Sequence, residues 1–304
     1  MIHSSSTSLT GLPCTPWPIA EIAARLGLGS DDWEPYGWHK AKLASDLLAR
    51  LGDRPRGKYV NVSAINPTPL GEGKTVTAIG LAMALNRLGK SAIATLREPS
   101  LGPLFGIKGG GTGGGCATLL PSDDINLHFT GDMHAVSSAT NLLAAVVDNH
   151  LYRRRVPAPQ LSTVAWRRAI DLCDRGLDHF ETVVGVGTQA IRRRTGFDLT
   201  PASEVMAILS LARDLADLRQ RLGRIYIGYT ATGEPVWAEQ LQVAGAMTAL
   251  LRDALRPNLV QTCEHTPALV HTGPFANIAH GNSSILADLI ATRLSDFVIT
   301  ESGF

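Results

Sequence analysis

An α/β fold, a doubly wound and mostly parallel sheet with an inserted α/β domain, is predicted by three features of this 304-residue sequence. Residues 59–97 read as strand, glycine loop, helix and strand, and residues 268–300 repeat that order. Between them, residues 151–259 differ in composition, with arginine runs and long helical stripes. Right-handed crossovers make parallel pairing the simplest way to join the two outer segments. The predicted division is residues 1–120 with 260–304 as one domain and 121–259 as the insert. The first domain reads as incomplete at its C-terminal end, because the apolar strand Phe297 to Thr300 calls for a covering helix after it.

A hydrophobic content of 44% is enough for a real core. A net charge of +1 gives no pull toward nucleic acid or a membrane surface, which leaves a small molecule as the expected partner. The opening MIHSSSTSLTGLPC lacks a basic start followed by an apolar run, and no window approaches a membrane span. Cys14, Cys116, Cys173 and Cys263 are far apart and form no metal-ligand spacing. Reduced thiols and a cytoplasmic location are the expectation.

Taken in order, residues 1–14 read as a loose arm, Pro18 to Leu26 as a short amphipathic helix before Gly27, and Tyr36 to Leu51 as a second helix. Val60, Val62 and Ala64 then alternate with Asn61 and Ser63, the period of a strand. Val76, Ile79, Met83 and Leu88 keep near-helical spacing, and Gly89 stands where a C-terminal cap belongs. Between strand and helix lies Gly71-Glu72-Gly73-Lys74-Thr75.

Glycines let backbone N–H groups turn inward around an anion, and the helix N-terminus adds partial positive charge. Lys74 is placed to reach β- and γ-phosphates, and the Thr75 hydroxyl to ligate Mg²⁺. The match to G-x-x-x-x-G-K-[ST] is incomplete, since Thr68 occupies the first glycine position. A bare Gly-Lys-Thr also reads as a helix start after a tight turn; its place between a strand and a helix, with another strand at crossover distance, favours a phosphate loop. The expected cradle is Thr68, Pro69, Leu70, Gly71, Glu72, Gly73, Lys74 and Thr75. The fold expectation becomes P-loop NTPase-like.

Six glycines in the seven residues 109–115 cannot hold a helix or strand cheaply. They follow a parallel strand at its carboxyl end, where open α/β sheets bind ligands, which favours a substrate loop over a linker. Residues 123–134 gather three aspartates and two histidines without helical His spacing, so Mg²⁺–nucleotide or substrate positioning suits them better than zinc. A helix from Ala135 to His150 follows, with Asn141, Asp148 and Asn149 read as its wet face. The runs 153–155 and 192–194 read as solvated arginines around a Gly185-Val186-Gly187 turn. Thr200-Pro201 opens the clearest helical stripe, closing at Gly223. Then come a strand Ile225 to Tyr229, a helix Gln242 to Leu255, a strand Ala268 to Val270, a loop carrying His271 and His280, a helix Ser283 to Leu294 and the last strand.

Four stretches together carry a resemblance: residues 66–75, residues 97–103, residues 124–132 and residues 273–281. The sequence from Pro18 to Phe304 resembles the amino-terminal part of the formate–tetrahydrofolate ligase (formyltetrahydrofolate synthetase) family. The resemblance implies ATP-dependent activation of formate as formyl phosphate, followed by formyl transfer to N10 of tetrahydrofolate. It also implies Mg²⁺, a monovalent cation such as K⁺, and a homotetramer. Lys74 and Arg97 are the expected catalytic groups, with Arg97 as a bidentate clamp on formate. Glu98 and Asp132 are expected either to handle metal or proton, or to hold Arg97 or Lys74. Asn282-Ser283 stands where the family has Cys-Asn, and Thr112 where it tends to have Ala. The family's pterin-stacking aromatics lie beyond the matched part, so no folate residue is assigned, and the chain alone is expected not to make 10-formyltetrahydrofolate. The competing reading is a regulatory paralogue or a P-loop ATPase switch without ligase turnover.

Overall fold

A computed structural model describes residues 14–66, 68, 71–106, 110–153 and 158–303. The chain divides into two units, residues 1–130 with 256–304 and residues 131–255.

The first unit is α/β. Its core elements are β1 (Lys58–Val62), α1 (Lys74–Arg87), β2 (Ala92–Leu96), β3 (Asn258–Thr262), β4 (Pro267–Val270), α2 (Ile285–Leu294) and β5 (Phe297–Glu301). Strands β1, β5, β2 and β4 lie side by side in that order, all parallel. Every residue of β2 and β4 is buried, which explains why neither alternates apolar with polar: a parallel sheet covered on both faces has no wet side to encode. From α1, Ala78, Ile79, Ala82 and Met83 join Ala94, Leu96, Val270 and Ile299 in one buried cluster. Although β5 comes last in the chain, it inserts between β1 and β2, and this position sets the geometry of the site.

Outside these four strands the sheet departs from the parallel expectation. Antiparallel to β4 runs β3, followed by Ala41–Leu43 and Trp33–Pro35, and Ala117–Leu120 pairs antiparallel with the far end of β3. The sequence reading passed over β3 because Asn258, Gln261 and Thr262 are polar yet buried, so neither alternation nor an apolar run marks it. The helix expected over Tyr36 to Leu51 is only Leu47–Leu51. Ahead of it, Ala41 and Lys42 register against Leu259 and Asn258, and this pairing outweighs the local helical period. Gly113–Gly114 form a two-residue strand against Ala117–Leu120. At φ +88°, Gly113 lies so close that a Cβ would sit 2.1 Å from the Ala117 carbonyl oxygen; the glycine permits that approach.

The second unit is built around the helix Asp132–Arg153, which buries Val136, Ala139, Leu143 and Val147. Of the three polar residues expected on a wet face, Asn149 is exposed but Asn141 and Asp148 are engaged. The Asn141 side chain makes two 2.9 Å hydrogen bonds to the Ala169 backbone, and Asp148 is 7% exposed and paired with arginines. The stripe read as one helix from Thr200 to Gly223 is two, Glu204–Leu211 and Leu215–Gly223. Each has its own cap: the Ser203 Oγ accepts from Met206 N–H and the Asp214 Oδ1 from Asp217 N–H, while Ala212 is extended between them. Among the described residues no helix is long and apolar enough to cross a membrane.

Candidate active site

Where the chain leaves β1 it turns through Gly71 at φ +87° and reaches Gly73, the left-handed N-cap of α1 at φ +73°. Side chains at these angles are strained, so glycine suits both positions at the entry to the helix. Lys74 Nζ donates to Glu72 Oε2 at 2.5 Å, and Thr68 N–H donates to Glu72 Oε1 at 2.5 Å. The Lys74 ammonium first, and the Thr68 N–H second, hold the Glu72 carboxyl down at about 2. The loop therefore already cradles an anion, its own carboxylate. Pro69 and Leu70 lie outside the described residues.

The Thr75 hydroxyl donates to Glu301 Oε2 at 2.5 Å. The other oxygen, Glu301 Oε1, accepts from Arg97 Nη2 at 3.4 Å. Arg97 Nη1 reaches the Pro274 carbonyl at 3.3 Å, and its buried Nε has no partner among the described residues. Topology produces this line of contacts. Because β5 lies between β1 and β2 in parallel register, its carboxyl end emerges between the loop after β1 and Arg97 after β2. The exit of β5 is fixed on both sides, by Ser302 N–H to the Val62 carbonyl and Gly303 N–H to the Gly281 carbonyl. Glu301 was missed in the sequence, where the strand was ended at Thr300. The available signal was an acid at the end of an apolar strand that follows a strand–loop–helix unit.

Glu98 is 4% exposed, and its N–H donates to the Thr272 carbonyl at 2.6 Å. Thr272 sits at φ +50°, 1% exposed, with its Oγ1 lacking a partner among the described residues. A β-branched residue there stores about 1–3 kcal/mol of backbone strain. His271 is fully buried, and its Nδ1 meets Ser284 Oγ at 2.5 Å, an oxygen that also caps α2 through Ala287 N–H. That is a structural role. His280 lies in the field of Arg97; burial first, then the arginine's charge, lowers its pKa, and its Nδ1 accepts from Asn282 N–H.

The glycine stretch and residues 123–134 also make contacts of their own. Among the described residues no group of three or more His, Cys, Asp or Glu side chains is placed to hold a metal ion. Within 123–134, Asp124 pairs with Lys40 at 2.5 Å, and Asn126 holds the glycine stretch through Gly111 N–H and Thr112 Oγ1. Asp132 opens the helix Asp132–Arg153 of the second unit and is 3% exposed. Thr75 and Glu301 together offer two hard oxygens, which suits an ion such as Mg²⁺ that takes few protein ligands and completes its shell with phosphate and water.

Comparison with known proteins bears on this arrangement. The family model for formate–tetrahydrofolate ligase matches residues 11–304. Curated relatives named formate–tetrahydrofolate ligase include one from Paracoccus denitrificans, 57% identical over 287 residues, and one from Saccharopolyspora erythraea, 54% identical over 287 residues. Each alignment covers 94% of this chain, and 52% and 51% of those two relatives respectively. A relative from Desulforamulus reducens is 55% identical over 289 residues, with 94% of this chain and 51% of the relative covered. The chain thus spans about half the length of the curated relatives it matches. With the family model matching residues 11–304 of its 304, the chain belongs to the formate–tetrahydrofolate ligase family.

Proposed function

We propose that this chain carries the formate-activating part of an ATP-dependent formate–tetrahydrofolate ligase, with the loop 71–75 as the nucleotide site in a P-loop NTPase-like domain. The observation that supports it best is the contact line Thr75–Glu301–Arg97, which joins the phosphate loop to an arginine with donors to spare. In this reading a formate oxygen attacks the γ-phosphorus, the bond to the β–γ bridging oxygen breaks, and ADP leaves with that electron pair. N10 of tetrahydrofolate then attacks the carbonyl carbon of the formyl phosphate formed, the bond from that carbon to the phosphate oxygen breaks, and the N10 proton leaves with the phosphate.

Bringing an anion to a polyanion makes positioning and charge neutralisation the main task. Lys74 leaves Glu72 for the terminal phosphates, while Arg97 fixes formate through its planar fork. Thr75 and Glu301 would hold Mg²⁺, which supplies further neutralisation of the phosphates when bound. His280, kept neutral beside Arg97, adds no competing charge. Glu98 and Asp132 are assigned to metal or proton handling, or to holding Arg97 or Lys74. The tetrahydrofolate partner, K⁺, a homotetramer and a cytoplasmic location belong to this reading too.

The experiment is ATP formation from ADP and formyl phosphate by the 304-residue chain. The wild type should form ATP, whereas Arg97→Lys should bind nucleotide normally and form little, since an ammonium cannot reproduce the fork. Absence of ATP formation, together with ATP hydrolysis indifferent to formate, would favour a P-loop ATPase switch instead.

A further inference from the structure

We infer that Glu301 is a positioning residue that couples the nucleotide loop to Arg97, so that filling the loop strengthens binding of a small carboxylate at Arg97. The inference rests on the nucleotide and formate assignments above and adds a dependence of one site on the other.

Glu301 has two oxygens and two clients. One accepts the Thr75 hydroxyl at 2.5 Å and the other the Arg97 Nη2 at 3.4 Å, in a side chain only 7% exposed. So little water reaches this carboxylate that a charge placed at one oxygen is felt at the other. In the empty loop the full negative charge of Glu301 faces Arg97, and a second carboxylate brought to that arginine meets like-charge repulsion. A metal–nucleotide seated at Thr75 draws the Glu301 charge to itself, and the repulsion falls.

Arg97 is held in a way that makes this exchange easy. Its two terminal nitrogens make contacts of 3.3 and 3.4 Å, long for a charged pair, and its buried Nε has no partner among the described residues. Nε and Nη2 form the edge of the guanidinium that grips a carboxylate with two parallel bonds. An arginine so under-used gives up Glu301 cheaply and gains more from formate. Coupling of this kind is reciprocal: formate must raise metal–nucleotide affinity by the same factor.

The test is calorimetric titration of the full chain with formate, with and without saturating MgADP, in wild type, Glu301→Gln and Glu301→Asp. In the wild type MgADP should tighten formate binding by about fivefold or more, the lower end of ordinary coupling between sites. Glu301→Gln should bind formate without nucleotide about as tightly as the filled wild type and gain nothing from MgADP. Glu301→Asp, which keeps the charge, should recover the nucleotide response, which a purely structural tether has no reason to show. Wild-type formate affinity indifferent to MgADP, full coupling retained in Glu301→Gln, or no formate binding in any state would each overturn the inference. If Glu301→Gln does not fold, the reciprocal measurement on wild type, MgADP affinity with and without formate, decides between the same two results. Failure of the wild type to bind MgADP at all would instead overturn the phosphate-loop assignment, a result distinct from uncoupled binding.

Discussion

Asp148 and Glu301 are both buried acids facing arginine, and they are served very differently. In the second unit, Asp148 accepts from Arg168 Nη2 at 2.5 Å and from Arg193 Nε and Nη2 at 2.9 and 2.6 Å. In the first unit, Glu301 accepts from Arg97 at 3.4 Å and shares its other oxygen with a hydroxyl. Burial and charge are alike in the two places, with side chains 10% and 7% exposed. What separates them is how closely the arginines hold the acid, since Arg168 Nη1, like Arg97 Nε, is buried without a partner among the described residues. Two arginines meet Asp148 at short range and fix the helix Asp132–Arg153 to the strands beside it, a role complete in itself. The Glu301 cluster is stretched, its arginine contact 3.4 Å long, which is how a site that exchanges partners should look.

Removing the closely held acid should do the most damage. Asp148→Ala strands two arginines in a buried place, and urea unfolding should show a loss of about 3–5 kcal/mol. Nucleotide affinity of the folded fraction should be unchanged, because the cluster lies outside the phosphate loop. A mild loss, no greater than that of Glu301→Gln, would erase the distinction drawn between the two acids.

A smaller effect is expected at Glu72, whose carboxylate pairs with Lys74. Glu72→Gln should bind MgATP modestly more tightly than wild type, since the nucleotide no longer displaces a carboxylate from Lys74. The carboxyl titrates at about 2, below its ordinary 4.5, so the ion pair is fully formed at neutral pH and lost only as pH falls toward that value. The ratio of the two affinities, followed by titration from neutral to mildly acidic pH, should therefore stay constant. A ratio that disappears in mild acid would mean the pair is weaker than its geometry indicates.

What was legible in the sequence follows the range of the forces involved. The stretch from Val60 to Leu96 was readable because a strand period, two glycines at a helix start and a helical stripe are local signals. The Lys74, Thr75 and Arg97 positions came with it. Glu301 was not readable, since its role depends on β5 inserting between β1 and β2, a register set by contacts more than two hundred residues apart in sequence. The antiparallel flank was hidden for the same reason: Ala41 and Lys42 look helical until β3 pairs with them. Asn141 and Asp148 looked like a wet helix face because their partners, Ala169, Arg168 and Arg193, are brought up by separate strands.

The central claim is that Lys74 and the glycine loop hold the terminal phosphates of a nucleotide, and the direct measurement is calorimetric titration of wild type and Lys74→Ala with MgATP. The account predicts one-to-one binding by the wild type and a loss of about 1.5–3 kcal/mol in Lys74→Ala, the scale of a charge-assisted hydrogen bond, with unfolding by urea little changed. Equal MgATP affinity in the two proteins would contradict it.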